Sequence, residues 1–356
     1  MVAPTRVVLA AGGTAGHVFP ALAIRSLLVG QGAEVRLYCD ERALAYVGDL
    51  DQSTIDVIPS GGLVTGSITK RVGNLFKLVT GSFAARRLLK EYRPELVIGL
   101  GGYASVGPVL AARHLGIPSV LHEQNSVMGA ANKVTARSAD AVALTFDPTE
   151  GARGATTVTG NPSRPEIVAV GDVPYPTVGS DSPIGILIMG GSQGARIVSE
   201  RVPAALAGLP DQLRPRLRVV HQARPEDHDR VTAAYASVGI EATVEPFVDV
   251  PAALPEVHLV ISRSGATTVC DMAVAGRPAI YLPLLSHRDL QQVKNAQSVV
   301  DAGGALLLRE DETTTEDLGH AVASLLEDPA RLSAMATAAR AWSRPDASQA
   351  ILDLLT

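Results

Sequence analysis

Short runs of β-branched residues and leucine recur along the chain, at Arg6 to Ala11, Glu34 to Cys39, Leu96 to Leu100, Ser119 to His122, Ile184 to Met189, Arg218 to His221, Leu259 to Ser262 and Ala279 to Leu282. Most are almost continuously apolar rather than alternating, which is the pattern of strands buried on both faces. Longer segments with helical patterning separate them. That rhythm predicts βαβ units and parallel sheets. It breaks between Gly160 and Pro183, where Pro162, Pro165, Pro174, Pro176 and Pro183 lie among glycines and acids, and this stretch reads as a linker. The strand Val7 to Ala11 runs into Gly12-Gly13-Thr14, and half a chain later Ile184 to Met189 runs into Gly190-Gly191-Ser192. Each half therefore opens as a Rossmann-like domain does, and two such domains facing across a ligand-binding cleft are expected.

Composition narrows this picture. At 356 residues with 46% hydrophobic and 19% charged positions, the chain is long enough for two cores and too apolar to be disordered. A net charge of -5 disfavours a protein that coats nucleic acid. Two distant cysteines, Cys39 and Cys270, make no disulfide framework, so a reducing, cytosolic setting is expected. Met1 to Ala23 superficially imitates a leader, but Gly12, Gly13, Gly16, His17 and Pro20 interrupt its apolar run, and a first strand entering a glycine turn accounts for the same residues. No apolar run reaches the roughly 18 residues of a membrane span. One stretch departs from the average: between Ile68 and Arg93, Lys70, Arg71, Lys77, Arg86, Arg87, Lys90 and Arg93 face a single acid, Glu91, and interleave with Leu75, Phe76, Leu78, Val79 and Phe83. Such a segment is either a domain helix with a solvated basic face or a surface for an anionic membrane.

Candidate chemistry gathers at the glycine turns. Glycines between a strand and a helix let backbone approach a ligand, and the helix start favours an anion. Gly190-Gly191-Ser192-Gln193-Gly194-Ala195-Arg196, Gly12-Gly13-Thr14-Ala15-Gly16-His17 and Gly101-Gly102-Tyr103 fit this physics, although each alone is equally explained by tight strand-helix packing. None carries the P-loop or the spaced dinucleotide fingerprint. Ser262-Arg263-Ser264-Gly265-Ala266-Thr267-Thr268 is a fourth such turn; Asp271 behind it can accept both hydroxyls of a ribose, while capping by Ser264 or Thr267 is the plainer reading. His17, beside a helix start that lowers its pKa, is a candidate neutral base. No histidine or cysteine spacing suits a metal, and Asp49-Leu50-Asp51 is too short a match to a metal-diphosphate motif to count as a site.

Taken in order, Gly12 to Pro20, Gly101-Gly102-Tyr103, His122-Glu123-Gln124-Asn125, Gly160-Asn161-Pro162-Ser163-Arg164, Gly190 to Arg196, Arg263-Ser264-Gly265-Ala266 and Asp289-Leu290-Gln291-Gln292 resemble the MurG family of peptidoglycan N-acetylglucosaminyltransferases. The resemblance implies a GT-B fold: residues 1–163 as an acceptor- and membrane-binding Rossmann-like domain, 164–340 as a UDP-GlcNAc-binding one, and 341–356 as a helix packing back on the first. It implies inverting transfer of GlcNAc from UDP-GlcNAc to the muramyl 4-hydroxyl of lipid I, with His17 as base and Glu123 as the second candidate, and no metal or other cofactor. It further implies that Thr14, Ala15 and Gly16 meet the transferring sugar or the acceptor diphosphate. Ser192 would bind the UDP diphosphate, Val248 the uracil, and Ala266, Thr267, Thr268, Val269, Cys270 and Asp271 phosphate and ribose. Gln291 and Gln292 would contact the sugar, with Asn125 and Arg164 completing the donor side.

Leu75, Phe76, Val79, Phe83, Arg86 and Arg87 become the expected contact with an anionic membrane, peripheral on its cytoplasmic face. The expected partners are a polyprenyl-diphosphate-linked muramyl-pentapeptide and a cell-wall synthesis complex, with roles in cell shape and division. Two residues depart from the family pattern: Ala15 stands for the commoner glycine, and Asp271 for a glutamate one methylene longer. The alternatives are a UDP-GlcNAc 2-epimerase on the same fold, a paralogue with another acceptor, and a non-catalytic nucleotide-sugar-binding subunit.

Overall fold

The computed structural model describes residues 4–61, 68–179, 181–191, 194–285 and 290–355, with side chains of the helix that begins at Ile68 described from residue 73 onward. The chain divides into two compact units, Met1–Pro165 together with Arg344–Thr356, and Glu166–Ser343.

The first unit runs β1 (Arg6–Ala10), α1 (Ala15–Gly30), β2 (Glu34–Cys39), β3 (Ile55–Val57), α2 (Ile68–Tyr92), β4 (Leu96–Gly99), α3 (Val106–Leu115), β5 (Ser119–Glu123), α4 (Ala130–Thr135), β6 (Ala141–Leu144) and β7 (Thr156–Val158). Its strands pair in parallel in the order β3-β2-β1-β4-β5-β6-β7. Val7 and Leu9 of β1 enter the core on one face and Val8 and Ala10 on the other, which is why this run is continuously apolar.

The second unit runs α5 (Pro165–Gly171), β8 (Ile184–Met189), α6 (Arg196–Ala207), β9 (Leu217–Gln222), α7 (His228–Ala236), β10 (Glu241–Glu245), α8 (Val250–Ala253), β11 (Val257–Ser262), α9 (Ala266–Val274), β12 (Ala279–Tyr281), α10 (Gln291–Asp301), β13 (Ala305–Leu307), α11 (Thr315–Leu326) and α12 (Pro329–Trp342). Its sheet, also parallel, has the order β10-β9-β8-β11-β12-β13. Both sheets thus reverse direction at the strand that opens the unit, between β1 and β4 and between β8 and β11. In an open parallel sheet that reversal leaves a crevice beyond the carboxyl ends of the strands.

Each predicted strand is present, with ends shifted by a residue or two. β3, β6, β7, β10 and β13 were not anticipated, and all but β6 lie at a sheet edge. The predicted linker is partly helical: Pro165 starts α5, where a missing N–H costs nothing, and Ile167 and Val170 are buried. The chain closes with α13 (Ala347–Leu352), whose Ile351 and Leu352 join the first unit's core beside α1. Gln31 Nε2 donates to Gln349 Oε1 across this contact at 3.2 Å. The unit boundaries fall at 165/166 and 343/344 rather than at 163/164 and 340/341.

Because Ile351 is fully buried, Ile351→Ala should destabilise the first unit by about 2–5 kcal/mol. Differential scanning calorimetry should show that unit melting earlier while the second keeps its transition; an unshifted first transition would mean that the terminal helix contributes nothing to this core.

Candidate functional site

At the switch point of the first sheet, the turns after β1 and β4 meet backbone to backbone. A β-carbon at Gly102 would lie 2.5 Å from the Gly12 carbonyl oxygen, and one at Gly101 2.8 Å from the His17 ring. Both glycines also hold positive φ, 88° and 73° for Gly101 and Gly102. Only residues without a side chain satisfy both conditions.

His17 lies in the first turn of α1, half-buried, with Nδ1 2.7 Å from the Gly12 carbonyl oxygen and 3.3 Å from Thr14 Oγ1. A carbonyl only accepts, so Nδ1 carries the proton and Nε2 presents a lone pair. Burial lowers the pKa of His17, against the opposing pull of the Gly12 carbonyl and Asp40, so the imidazole is neutral at pH 7. That is the protonation state a general base requires.

Asp40, just beyond β2, holds the first glycine turn in place. Its Oδ1 accepts the N–H of Gly13 at 3.1 Å and of Ala43 at 3.2 Å, and its Oδ2 accepts Arg42 Nη2 at 2.7 Å and Ser60 Oγ at 3.2 Å. Burial alone would raise this carboxyl's pKa, but the hydrogen bond and charge of Arg42, with the other donors, outweigh it and hold it below the usual carboxylate range. The sequence reading passed over Asp40 and Arg42; the available signal was a carboxylate at the carboxyl end of a predicted strand.

The segment after β5 corrects one expectation. Glu123 is not placed to act as a base: it is 1% exposed, its Oε1 accepts the N–H of Asn125 at 3.0 Å, and its Oε2 accepts Gly129 N and Asn132 Nδ2, each at 2.8 Å. Burial pushes its pKa up, and these donors pull it back. Its carboxylate organises the loop that carries Asn125, itself half-buried. Beside it, His122 is fully buried and its pKa is lowered by burial to about 4. Thr14 is exposed, Ala15 buried and Gly16 half-buried at the start of α1. Arg164 stacks on the Phe19 ring of α1 at 4.7 Å.

The second unit repeats the plan at its own switch point, between β8 and β11. Ser192 lies outside the described residues, as does Asp289. Helices α1, α6, α9 and α10 begin without a side-chain cap, whereas α8, α11 and α12 are capped by Asp249, Thr314 and Asp328. Capping of α9 by Ser264 is therefore not what the structure shows: the Ser264 hydroxyl donates to the Gln292 carbonyl at 2.8 Å, and Asn295 Nδ2 donates to the Ser264 carbonyl at 3.3 Å. Gln292 Oε1 accepts the Leu284 N–H at 2.9 Å, and Gln291 is half-buried beside it. Arg263, 8% exposed, donates from Nη1 to the carbonyls of Leu282 and Pro283 and to Glu310 and so ties β11 to the loop after β12.

In α9, Thr267 and Thr268 are half-buried, while Ala266, Cys270 and Asp271 are buried and Val269 is wholly so. The Val269 side chain is therefore enclosed in the packing around α9. Asp271, the expected ribose contact, is buried at 6% exposure. Val248 is half-buried next to Phe247, which is 75% exposed. Arg196 opens α6 and pairs with Glu200 at 2.6 Å. Asp51 accepts Ser53 N and Oγ in a local turn, and among the described residues no group of three or more potential ligands gathers to hold a metal.

Helix α2 buries Gly81, Ala85 and Leu89, spaced four apart, and exposes Leu75, Phe76, Val79 and Phe83, the two phenylalanines at 70% and 69%. At 100° per residue, Arg86, Arg87 and Lys90 continue that exposed face toward the carboxyl end, all three of them solvated. The face is therefore apolar along its first half and basic along its second. Among the described residues no helix is long and apolar enough to cross a membrane.

Residues 7–144 match the glycosyltransferase family 28 N-terminal domain and residues 185–351 its C-terminal domain. The chain is 43% identical over 352 residues, 98% of its length and 93% of the relative's, to the UDP-N-acetylglucosamine--N-acetylmuramyl-(pentapeptide) pyrophosphoryl-undecaprenol N-acetylglucosamine transferase of Agrobacterium fabrum. It is 43% identical over 346 residues to the enzyme of that name from Rhizobium meliloti, covering 96% and 92%. Among solved structures it is similar to MurG of Acinetobacter baumannii, with 32% identity, a TM-score of 0.76 and 99% of each chain covered. UDP-GlcNAc 2-epimerase from Neisseria meningitidis, at 16% identity, a TM-score of 0.66 and coverage of 98% and 99%, shares the fold.

One pH dependence follows from the buried imidazoles. His122 and His221 are both held near 4 by burial, against about 6.5 in the unfolded chain. Between those values the unfolded state binds more protons, so stability falls as pH falls, by up to about 1.4 kcal/mol per pH unit for each histidine. Urea titrations from pH 6.5 down to 5, above the range of ordinary carboxylates, should show this loss. A flat profile would mean that both rings take up protons in the folded protein as readily as in the unfolded chain.

Proposed function

The chain belongs to glycosyltransferase family 28, and on that footing we infer that it is an N-acetylglucosaminyltransferase that moves GlcNAc from UDP-GlcNAc to the muramyl 4-hydroxyl of lipid I, giving lipid II for peptidoglycan synthesis. The observation that carries this reading is identity across nearly the whole chain to relatives named for that transfer. The likeness to an epimerase, at far lower identity, extends to the fold alone.

The chemistry uses the geometry of the first unit. The acceptor's O4–H bond breaks as its proton passes to His17 Nε2, while O4 bonds to the anomeric carbon from the face opposite UDP. The bond from that carbon to the diphosphate oxygen breaks with its electron pair leaving on UDP, so the configuration inverts. Gly12 fixes the tautomer throughout. Thr14, Ala15, Gly16, Asn125 and Arg164 are assigned to the reacting sugars and diphosphates. On the donor side we keep Ser192, Val248, Gln291 and the α9 residues Ala266, Thr267, Thr268, Cys270 and Asp271 as UDP-GlcNAc contacts. Gln292 presents its amide nitrogen to the sugar, since its oxygen is taken by Leu284. The uncapped start of α6 stabilises the departing diphosphate, so the proposed route draws on no metal.

A polyprenyl acceptor brings the reaction to a lipid surface, and the exposed face of α2 suits it: Leu75, Phe76, Val79 and Phe83 enter the headgroup region, and Arg86 and Arg87 meet anionic lipid. The enzyme then works as a peripheral protein on the cytoplasmic face of the membrane, within a cell-wall synthesis complex.

Incubating the protein with UDP-GlcNAc and lipid I in EDTA should release UDP in step with lipid II. Appearance of UDP-ManNAc without lipid II would instead establish an epimerase, and restoration only by a divalent ion would overturn the metal-free route. His17→Ala should lower turnover by about 10²–10⁴-fold with UDP-GlcNAc binding retained; near-normal turnover removes His17 as the base.

Vesicle flotation addresses the surface separately. The protein should float with vesicles containing anionic lipid, and both Phe76→Ser/Phe83→Ser and Arg86→Glu/Arg87→Glu should weaken that association. Unchanged flotation in both variants rejects α2 as the contact.

A further inference from the structure

Gln124 stands directly behind the glycine that meets His17, and its amide has only one chemically consistent orientation. One end lies 2.8 Å from the Leu100 carbonyl oxygen and 2.9 Å from His122 Nδ1. A carbonyl only accepts, so this end is Nε2. His122 agrees, because its Nε2 faces the Gly160 carbonyl at 3.0 Å and must donate there, leaving Nδ1 to accept. Oε1 of Gln124 is therefore turned the other way. It is buried in a residue only 2% exposed, and it has no hydrogen-bond partner in the protein. A buried acceptor left unpaired costs stability and calls for an explanation.

The explanation lies at Gly101. The point where a β-carbon would stand on that residue is 3.2 Å from Gln124 Oε1 and 3.1 Å from His17 Nε2. The orphaned oxygen and the base nitrogen thus border one small space, kept open because residue 101 has no side chain. While His17 is neutral, both atoms present lone pairs to it and neither has a proton to give. Once Nε2 is protonated, the same geometry places an N–H beside an acceptor.

We propose that Gln124 is a positioning residue for the transfer, its Oε1 accepting a hydrogen bond, directly or across one water, from His17 Nε2 after the imidazole has taken the acceptor's proton. The inference rests on the reading of His17 as base. It supplies an acceptor for the Nε2–H of the imidazolium in a setting where burial disfavours the charge, adding to the support that Gly12 gives at Nδ1 and Asp40 gives by its charge. The other charged or titratable groups acting on His17 are Asp40, which supports its positive charge, Arg42, which opposes it, and His122, which stays neutral. Thr14 and Gly12 occupy only Nδ1.

Gln124→Met keeps the length and removes the acceptor; Gln124→Glu keeps an acceptor and adds charge. Two readouts are needed, the pH profile of kcat/KM with lipid I and the titration of His17 Nε2 by ¹⁵N NMR. In Gln124→Met the His17 pKa and the acidic limb should both move down by about one unit, with kcat about tenfold lower and the KM for UDP-GlcNAc unchanged. In Gln124→Glu both should move up. Adding Gln124→Met to His17→Ala should cost nothing more. A folded Gln124→Met protein whose His17 titrates as in the wild type overturns the proposal, even if its kcat falls. If His17→Ala alone keeps normal turnover, the base assignment fails instead, while the NMR titration still decides whether the two side chains interact.

Discussion

Between the turns after β1 and β4 there is no room for a side chain, and the first unit's site is built around that restriction. The Gly102 backbone lies against the Gly12 carbonyl, and the Gly101 backbone against the His17 ring. Gly12 is therefore held at a position from which its carbonyl sets the tautomer of His17, and the ring is held with Nε2 beside Gly101. A larger residue at either turn would push the base away from its place, not merely crowd it. Tight strand-helix packing and close approach to a ligand, which read as competing explanations of a glycine turn, are here one and the same arrangement.

Electrostatics divides the surrounding polar groups into those kept neutral and those kept charged. His17 and His122 lie where burial opposes a positive charge, and both remain neutral imidazoles at pH 7. Asp40 and Glu123 are also buried, yet they differ in kind: Arg42 compensates Asp40, whereas Glu123 is met only by amides. Each carboxylate fixes a loop by accepting its backbone N–H groups, Asp40 the turn at Gly13 and Glu123 the segment from Asn125 to Gly129. Four donors, two on each oxygen, take up the lone pairs of the buried Glu123 carboxylate and leave none for an incoming hydroxyl, so the motif's acidic residue is a scaffold for its neighbour.

The central strands were legible because a strand buried on both faces carries its signal in every residue. β1, β2, β4, β5, β8, β9, β11 and β12 were anticipated. β3, β7, β10 and β13 are short edge strands with partly solvated residues, such as Glu241-Ala242-Thr243-Val244-Glu245, and look locally like loops. The glycine turns and His17 were visible for the same reason as the strands, since backbone conformation and helix position are local properties. The role of Asp40 and the orientation of Gln124 were not, because deciding partners come from elements brought together by the sheet: Gly13 and Ser60 for Asp40, Leu100 for Gln124.

The amino-acid order alone therefore determined two parallel α/β units, the turns at their switch points, the basic and apolar patterning of α2 and, through its ordered motifs, the family. Those properties depend on local conformation and on the hydrophobic period, which each segment carries with it. Only the tertiary structure decided which buried groups satisfy one another. It withdrew Glu123 from catalysis, placed Val269 within the packing of α9, made Asp40 the anchor of the first turn and left Gln124 Oε1 beside His17. Hydrogen bonds between residues far apart in sequence depend on the register and approach of whole elements, and no local pattern encodes those distances.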